Sequence, residues 1–301
     1  MKPLTFALRM KRASWYGIKI NWSAYALVLP FFVPFFTFTM VAIIFGSYIS
    51  LTDWGIVGNP TWVGLANYQR AFQDEYVIKA FVNVVKYAAI VVPGVTSLAL
   101  IFALYVNQNW FFSRFARAAF FSPFVVSSTV VGLVWVWILD TQFGLLNQYL
   151  VKLGGNNIPW LTSTRWSLVG VSIATIWWDL GFSFVLFLAA LQEIPREIIE
   201  AASIDGATGL ETFWHITIPT IKPNIRLVIT LQIIATLRIF SQVYLMTNGG
   251  PSSSSVSVIH YIFTEGVTKF NLGYAAAVSM LLFGLIMLVT IAQQLLIREQ
   301  A

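Results

Sequence analysis

Apolar residues along this chain fall into six long runs that are separated by shorter polar stretches. The runs cover residues 24–50, 82–106, 117–139, 167–191, 224–247 and 273–297. A helix needs about 20 mostly apolar residues to cross the hydrocarbon core of a bilayer, and each run reaches that length. The pattern therefore predicts an all-α, polytopic membrane protein with six transmembrane helices.

Prolines interrupt two of these predicted spans. Pro30 and Pro34 lie in the first span, and Pro93 lies in the second beside Gly94. Proline removes a helical hydrogen bond, but neighbouring helices can satisfy the freed backbone groups within a membrane. We therefore expect kinks at these positions rather than helix ends.

Composition supports the membrane class, and the distribution of basic residues predicts the orientation of the chain across the membrane. Apolar residues make up 58% of the chain and charged residues 10%, whereas soluble domains average about 25% charged. The net charge of +6 does not indicate a nucleic-acid partner, because the basic residues cluster at the ends of apolar runs. Of the 18 Lys and Arg residues, eleven lie on the N-terminal side of the predicted membrane and five on the other. The positive-inside rule then places both termini in the cytoplasm, with a cytoplasmic N-terminal segment 1–23 and a transmembrane domain 24–301.

Several catalytic chemistries find no support in the sequence. The chain has no cysteine, which excludes a thiol nucleophile and a thiolate metal site. It has no GxxxxGK[ST] loop, so we expect no ATP hydrolysis and no cofactor in this chain. His215 and His260 have no partners at metal-ligand spacing, so we expect both to be ordinary surface or interface residues.

The predicted cytoplasmic loop at 192–222 has an unusual composition. It contains Glu197 and Glu200 early in a predicted helix that begins after Pro195, where acidic side chains suit the helix macrodipole. Gly206 predicts a turn, and a second short helix over 208–216 is expected to end before Pro219. The sequence thus predicts a helix-turn-helix knob. A helix resting on the lipid surface is the alternative, but the acidic composition disfavours contact with the negatively charged inner leaflet.

The loop also carries a recognisable motif. Glu200-Ala201-Ala202, three residues, Gly206, nine residues, Ile216, one residue and Ile218-Pro219 resembles the EAA loop of ABC importer permeases. Thr247-Asn248-Gly249-Gly250-Pro251 resembles the carbohydrate (maltose-type) branch of the same family. In such permeases the loop docks on an ATPase subunit, and the residues that the resemblance assigns to docking are Glu200, Ala201, Ala202, Asp205, Gly206, Ile216 and Pro219.

The resemblance also implies the rest of the machine. It implies a permease subunit in the lipid of a bacterial or archaeal plasma membrane, paired with a second permease chain in a heterodimer. Two cytoplasmic ATPase subunits would carry ATP and Mg, and an extracytoplasmic solute-binding protein would deliver a sugar or oligosaccharide.

Ionisable residues inside predicted spans are candidate pathway residues. Asp179 lies near the middle of the fourth span, and Arg238 lies within the fifth. Helical spacing puts Gln232 and Thr236 on one face of the fifth span. Aromatic rings beside amide and carboxylate groups suit a sugar, and the predicted pathway residues are Trp178, Asp179, Phe182, Gln232, Thr236 and Arg238. The alternative is that Asp179 and Arg238 form a structural ion pair.

Two other classes of membrane protein are alternatives to a permease. An ion-coupled secondary transporter calls for inverted repeats with broken helices near the membrane midplane, and the sequence shows no such repeat. A membrane-embedded enzyme calls for clustered His or carboxylate residues near one interface, and no such cluster is evident in the sequence.

Overall fold

The computed structural model describes residues 22–55, 58–108 and 111–298, with side chains described from 25 to 295. The predicted N-terminal segment 1–23 lies almost entirely outside these residues. The described chain is mainly helical, with one small antiparallel pair in which β1 (Thr52–Asp53) is bonded to β2 (Thr61–Trp62).

The helices are numbered here in chain order. They are α1 Trp22–Phe35, α2 Val41–Ile49, α3 Ala66–Gln73, α4 Glu75–Asn107, α5 Ser113–Val125, α6 Ser128–Ile138, α7 Leu145–Lys152, α8 Ser167–Gln192, α9 Arg196–Ile204, α10 Gly209–Thr212, α11 Ile218–Leu237, α12 Ser241–Met246, α13 Val258–Phe263 and α14 Leu272–Arg298. Two π segments, Phe36–Met40 and Phe213–Thr217, join consecutive helices, and a third, Thr264–Thr268, extends α13.

Prolines have different effects in the two spans where kinks are expected. In the first, Pro30 and Pro34 lie inside α1, which passes through the π segment Phe36–Met40 into α2. In the second, α4 runs unbroken through Pro93 for 33 residues. Pro93 is therefore carried within a continuous helix.

The centre of the bundle is the contact between α4 and α8, the most extensive between any two described helices. Small and β-branched side chains recur every four residues along α4 and are almost fully buried, including Val91, Val95, Ala99 and Ala103. This spacing follows one face of a helix, so α4 presents a smooth surface to α8. Phe184 and Phe187 of α8 fill the space on one side and are also fully buried.

Four helical segments are long and apolar enough to cross a membrane, namely Tyr25–Ile49, Glu75–Asn107, Ser167–Gln192 and Leu272–Leu295. A fifth crossing results if α5 and α6 count together, although they meet at an angle of 98°. The span predicted over 117–139 is therefore interrupted, because the helix breaks after Pro123 at Val126-Ser127.

The predicted span 224–247 is also interrupted. Helix α11 ends at Leu237, and the chain turns through Arg238–Phe240 before α12. The first half of α11 carries Lys222 and Arg226, and the helix is not among the segments that meet the length and apolarity requirement. Short α12 packs against α6, so the two broken helices contact each other beyond their breaks.

A helical hairpin formed by residues 196–217 lies between α8 and α11. Because α11 is about 30 Å long at 1.5 Å per residue, the loops that follow it lie at the opposite end of the bundle. We call that opposite end the distal end. There, α13 and the segment before it pack against α4 and α14.

Candidate functional site

A cavity of about 450 Å³ lies in the middle of the bundle, at the level of both helix breaks. The six predicted pathway residues all line it, although three lie on α8 and three lie on α11 or at its end: Trp178, Asp179, Phe182, Gln232, Thr236 and Arg238. The structure thus brings together the whole set of polar and aromatic side chains that the sequence singles out.

One wall of this cavity is aromatic. The Phe124 ring lies 5.3 Å from that of Phe182 and 5.8 Å from that of Trp178, measured between centroids. The Trp178 indole N–H donates to the carbonyl of Val126 at 2.9 Å. That carbonyl lies at the break between α5 and α6, so the indole partners a backbone group near the point where helical bonding is interrupted. Trp178 therefore ties the wall of the cavity to the bend.

The other wall is polar and mostly buried. Asp179, Gln232 and Thr236 are each less than one-tenth exposed. The Gln232 side-chain N–H donates to Ser183 Oγ at 2.9 Å, whereas its Oε1 has no hydrogen-bond partner among the described residues. Leaving a buried polar atom unpaired costs about 1–3 kcal/mol, so such atoms call for a partner from solvent or a solute.

Tyr87 adds a second unpaired group to the same cavity. Its side chain is almost fully buried on α4, and its hydroxyl finds no hydrogen-bond partner in the part of the chain that the structure describes. It lines the cavity beside Asp179 and Gln232. At least two polar groups in the walls of the cavity therefore lack a hydrogen-bond partner among the described residues.

The alternative assignment for the two charged residues is wrong. Asp179 and Arg238, both within the described residues, line the cavity but form no salt bridge with each other. Asp179 is buried, whereas Arg238 is exposed at the turn after α11. They are thus separate charged groups in one cavity.

The pathway residues predicted from the sequence form only part of the cavity lining. Most of the other polar and aromatic lining residues lie on α4 or at the two helix breaks, and Thr175 lies on α8: Tyr87, Phe124, Ser128, Thr175, Phe240, Ser241 and Gln242. The signals available for the breaks were Pro123 followed by Ser127-Ser128, and a charged Arg238 within an apolar run. Tyr87 carried no comparable signal, because a tyrosine in an apolar run is also an ordinary packing residue.

The hairpin at 196–217 is built on local capping interactions. Helix α9 begins after Pro195 as expected and ends at Ile204, two residues before Gly206, which has φ +84°. The Ala207 N–H donates to the Ala202 carbonyl and the Gly206 N–H to that of Ser203. This pair of bonds is a Schellman motif, which requires a left-handed residue that glycine supplies without strain.

Helix α10 begins with a capping box. The Thr208 N–H donates to the Glu211 carboxylate at 2.7 Å, and the Glu211 N–H donates back to Thr208 Oγ1 at 3.3 Å. These bonds lower the pKa of Glu211, since they favour the charged carboxylate. The helix predicted over 208–216 does not end before Pro219. Instead, α10 passes through the π segment Phe213–Thr217 directly into α11, whose first turn accommodates Pro219.

Most of the residues assigned to docking lie on the surface of this hairpin. Glu200, Ala201, Asp205 and Gly206 are exposed, whereas Ala202 is buried against the hairpin itself. Ile216 is half-buried in the π segment, and Pro219 is exposed at the start of α11.

His260 departs from the expectation of an ordinary surface residue. It is 7% exposed on α13 at the distal end, and burial lowers its pKa. The described residues contain no group of three or more His, Cys, Asp or Glu side chains that could hold a metal ion.

A membrane bundle with a mid-level polar cavity and a projecting helical hairpin is the architecture of a transport permease. The chain belongs to the family described as binding-protein-dependent transport system inner membrane component, whose model matches residues 95–300. It is thus a membrane component of an ABC importer, and it is not an enzyme.

Similar proteins include several named permeases. The sulfoquinovosyl glycerol transport system permease protein SmoG of Agrobacterium fabrum is 32% identical over 79% of this chain and 78% of its own. The sn-glycerol-3-phosphate transport system permease protein UgpA of Yersinia pestis is 30% identical over 92% of this chain and 94% of its own. A crystal structure of a bacterial ABC transporter for the acidic polysaccharide alginate matches with a TM-score of 0.81 over 95% of this chain and 99% of that chain, at 22% identity.

Family membership also decides between the classes weighed from the sequence. The broken helices at the cavity are a feature that secondary transporters share. The family match and the relatives nevertheless identify an importer driven through separate ATPase subunits rather than an ion-coupled carrier.

Proposed function

We propose that this chain and a second, different permease chain form the membrane pathway of an ATP-driven importer for a sugar or oligosaccharide. The observation that carries the proposal is the mid-bundle cavity, where six predicted pathway residues and two unpaired buried polar atoms meet. Ring faces of Trp178 and Phe182 suit the C–H face of a sugar, and the amide and hydroxyl groups opposite suit its hydroxyls. The names of relatives that handle sulfoquinovosyl glycerol and sn-glycerol 3-phosphate support a hydroxylated solute.

In this proposal the chain crosses a bacterial or archaeal plasma membrane six times, with both termini inside. The two crossings beyond those that are long and unbroken are α5 with α6 and α11 with α12. The hairpin at 196–217 then lies in the cytoplasm, and the distal end faces the solute-binding protein. A solved alginate importer in complex with its periplasmic protein supports such a partner.

In this proposal the hairpin transmits the conformational change that ATP hydrolysis drives to the helices that line the cavity. It lies between α8 and α11, which also supply the predicted pathway residues, so movement of the hairpin reaches both walls of the cavity directly. Two ATPase subunits, which carry ATP and Mg, would each bind the hairpin of one permease chain. Exposed carboxylates at Glu200 and Asp205 would pair with basic groups at the rim of that interface.

Uptake by the assembled importer in proteoliposomes tests the proposal. We expect one hydroxylated solute from a panel that includes maltose and sn-glycerol 3-phosphate to accumulate only with binding protein outside and ATP at the ATPase subunits. Accumulation driven by a proton or sodium gradient without ATP would contradict the proposal.

A further inference from the structure

A second polar cavity, of about 320 Å³, lies at the distal end and is separate from the mid-bundle cavity. Its lining includes Tyr76, Asn248, Ser253, His260 and Lys269. These residues come from the start of α4, the loop after α12, α13 and the segment that follows it, so several elements converge on one hollow.

A buried histidine in this lining lacks one of its hydrogen bonds. His260 Nε2 lies 3.1 Å from Asn248 Oδ1, but His260 Nδ1 has no partner among the described residues although its side chain is buried. A Cβ added at Gly249 would lie 3.2 Å from that Nδ1. The Gly249 backbone therefore lies close to the unpaired edge of the ring, and no side chain at that position pairs with the nitrogen. A buried ring nitrogen without a partner is uncommon and calls for an explanation.

The remaining lining suits a hydroxylated ligand. Tyr76 and Tyr261 stack with ring centroids 6.5 Å apart and planes 6° from parallel, and Tyr76 is exposed. Such rings offer a flat apolar surface for the C–H face of a sugar. Lys269 lies in the same lining, and its ammonium group pairs with Glu265 at 2.6 Å.

Aromatic rings connect this cavity to the one in the middle of the bundle. The His260 ring lies 6.4 Å from that of Phe240, which lines the mid-bundle cavity. Tyr244 and Phe263 complete the cluster, each with its ring centroid within 6 Å of that of Phe240. The two cavities are thus separated by one layer of packed aromatic rings.

We propose that the distal cavity is an entrance subsite that binds a sugar, through His260, Asn248 and the Tyr76 ring, before it reaches the mid-bundle cavity. This inference rests on the proposed function, because it assumes that the solute is a sugar. It adds a second binding position that the solute occupies on its way to the first.

The absence of cysteine from the chain allows a direct test by single-cysteine labelling. Ser253→Cys reports on the distal cavity, and Ser128→Cys reports on the mid-bundle cavity. Ser252→Cys is the matched control, because Ser252 also has a positive φ but is exposed and outside the lining. Each variant is assembled with its partners in nanodiscs and treated with N-ethylmaleimide, with and without maltose or sn-glycerol 3-phosphate, and labelling is read by mass spectrometry of this chain.

We expect one of the two probes to slow labelling at Ser253→Cys and Ser128→Cys but not at Ser252→Cys. Protection at Ser128→Cys alone would overturn the entrance subsite and leave the proposed pathway intact. Protection at neither position would contradict both the proposed pathway and the entrance subsite.

A second variant tests whether His260 binds the probe in the distal cavity. His260→Gln should raise the probe concentration needed for half-protection at Ser253→Cys by about three- to tenfold, the value of one neutral hydrogen bond, while Ser128→Cys keeps its own. An equal shift at both positions would show that His260 acts only on the fold, and that outcome would overturn its role in binding.

Discussion

The hairpin at 196–217 and the mid-bundle cavity differ in how much of each is complete within one chain. The hairpin exposes large apolar side chains, with Ile204 87% and Leu210 68% exposed, and its shape depends on local caps. The cavity lies among packed helices, and most of its polar groups are buried. In the proposed function the hairpin docks on a protein partner, and its exposed apolar side chains suit that role, whereas the cavity binds a small solute.

The largest effect is expected at Gly206, because a change there should disrupt the hairpin and leave the mid-bundle cavity intact. Gly206→Val forces a β-branched residue to φ +84°, which costs about 1–3 kcal/mol and disrupts the end of α9. We expect solute uptake to fall to background while ATP hydrolysis by the assembled complex is no longer stimulated by binding protein.

A variant at the same position supplies the control. Gly206→Asn should retain most uptake, because asparagine adopts left-handed backbone far more readily than valine and no atom lies within 4 Å of an added Cβ. Normal uptake by Gly206→Val would remove the hairpin from the coupling mechanism.

The next largest effect is expected inside the cavity. Asp179→Asn keeps the shape of the side chain but removes its charge, and the loss of a charged hydrogen bond to the solute should weaken apparent affinity roughly ten- to hundredfold. Uptake kinetics measure the change, while assembly with the partner subunits should be normal. Unaltered kinetics would withdraw Asp179 from the solute site.

A smaller effect is expected where the cavity wall meets the bend between α5 and α6. Trp178→Phe retains an aromatic ring but removes the N–H that donates to Val126, at a cost of about 1 kcal/mol. We expect uptake to fall several-fold and hydrogen exchange to increase at residues 126–128. Trp177→Phe is the control, since Trp177 is exposed on the adjacent position, and equal effects of both variants would refute the role of the indole bond.

The smallest effect is expected at the distal end, and it should depend on pH. Asp74 Oδ2 accepts hydrogen bonds from Tyr261 and Tyr274 at 2.6 and 2.7 Å. Partial burial opposes ionisation of Asp74, but these bonds outweigh it and lower its pKa below the ordinary 3.8. The stabilisation is therefore complete above pH 3.8 and is lost as the pH falls through the lowered pKa.

Thermal unfolding of the purified complex as a function of pH measures this effect. Asp74→Asn should lower the melting temperature slightly at pH 7 and flatten its fall in acid. The matched control is Glu75→Gln, because Glu75 is an exposed neighbour with only a long contact to Lys79 at 3.9 Å. A melting curve for Asp74→Asn that follows the unchanged chain at every pH would contradict the assignment.

The amount of structure that was predictable differs between these regions for a physical reason. The hairpin is specified locally, since Pro195, Gly206 and the Thr208–Glu211 box each act within a few residues, and its first helix and turn were predictable. Its second helix was not, because the π segment Phe213–Thr217 lets the chain continue through Pro219. In the cavity, helical periodicity placed Trp178 with Phe182 and Gln232 with Thr236, but it gave no information on what faces them.

By itself, the sequence determined that the chain enters a membrane, that its hairpin has the length and caps of a docking element, and that polar side chains occur on two helices. Those properties follow from apolar length, local hydrogen bonding and helical spacing, which act over short stretches of chain. Only the tertiary structure decided that α4 contributes Tyr87, that the third and fifth predicted spans break beside the cavity, and that Asp179 and Arg238 remain unpaired with each other. Each of these depends on contacts between residues far apart in the chain. A helix break is stable in the bundle only where a neighbour donates a hydrogen bond to the freed carbonyl, as Trp178 does to Val126.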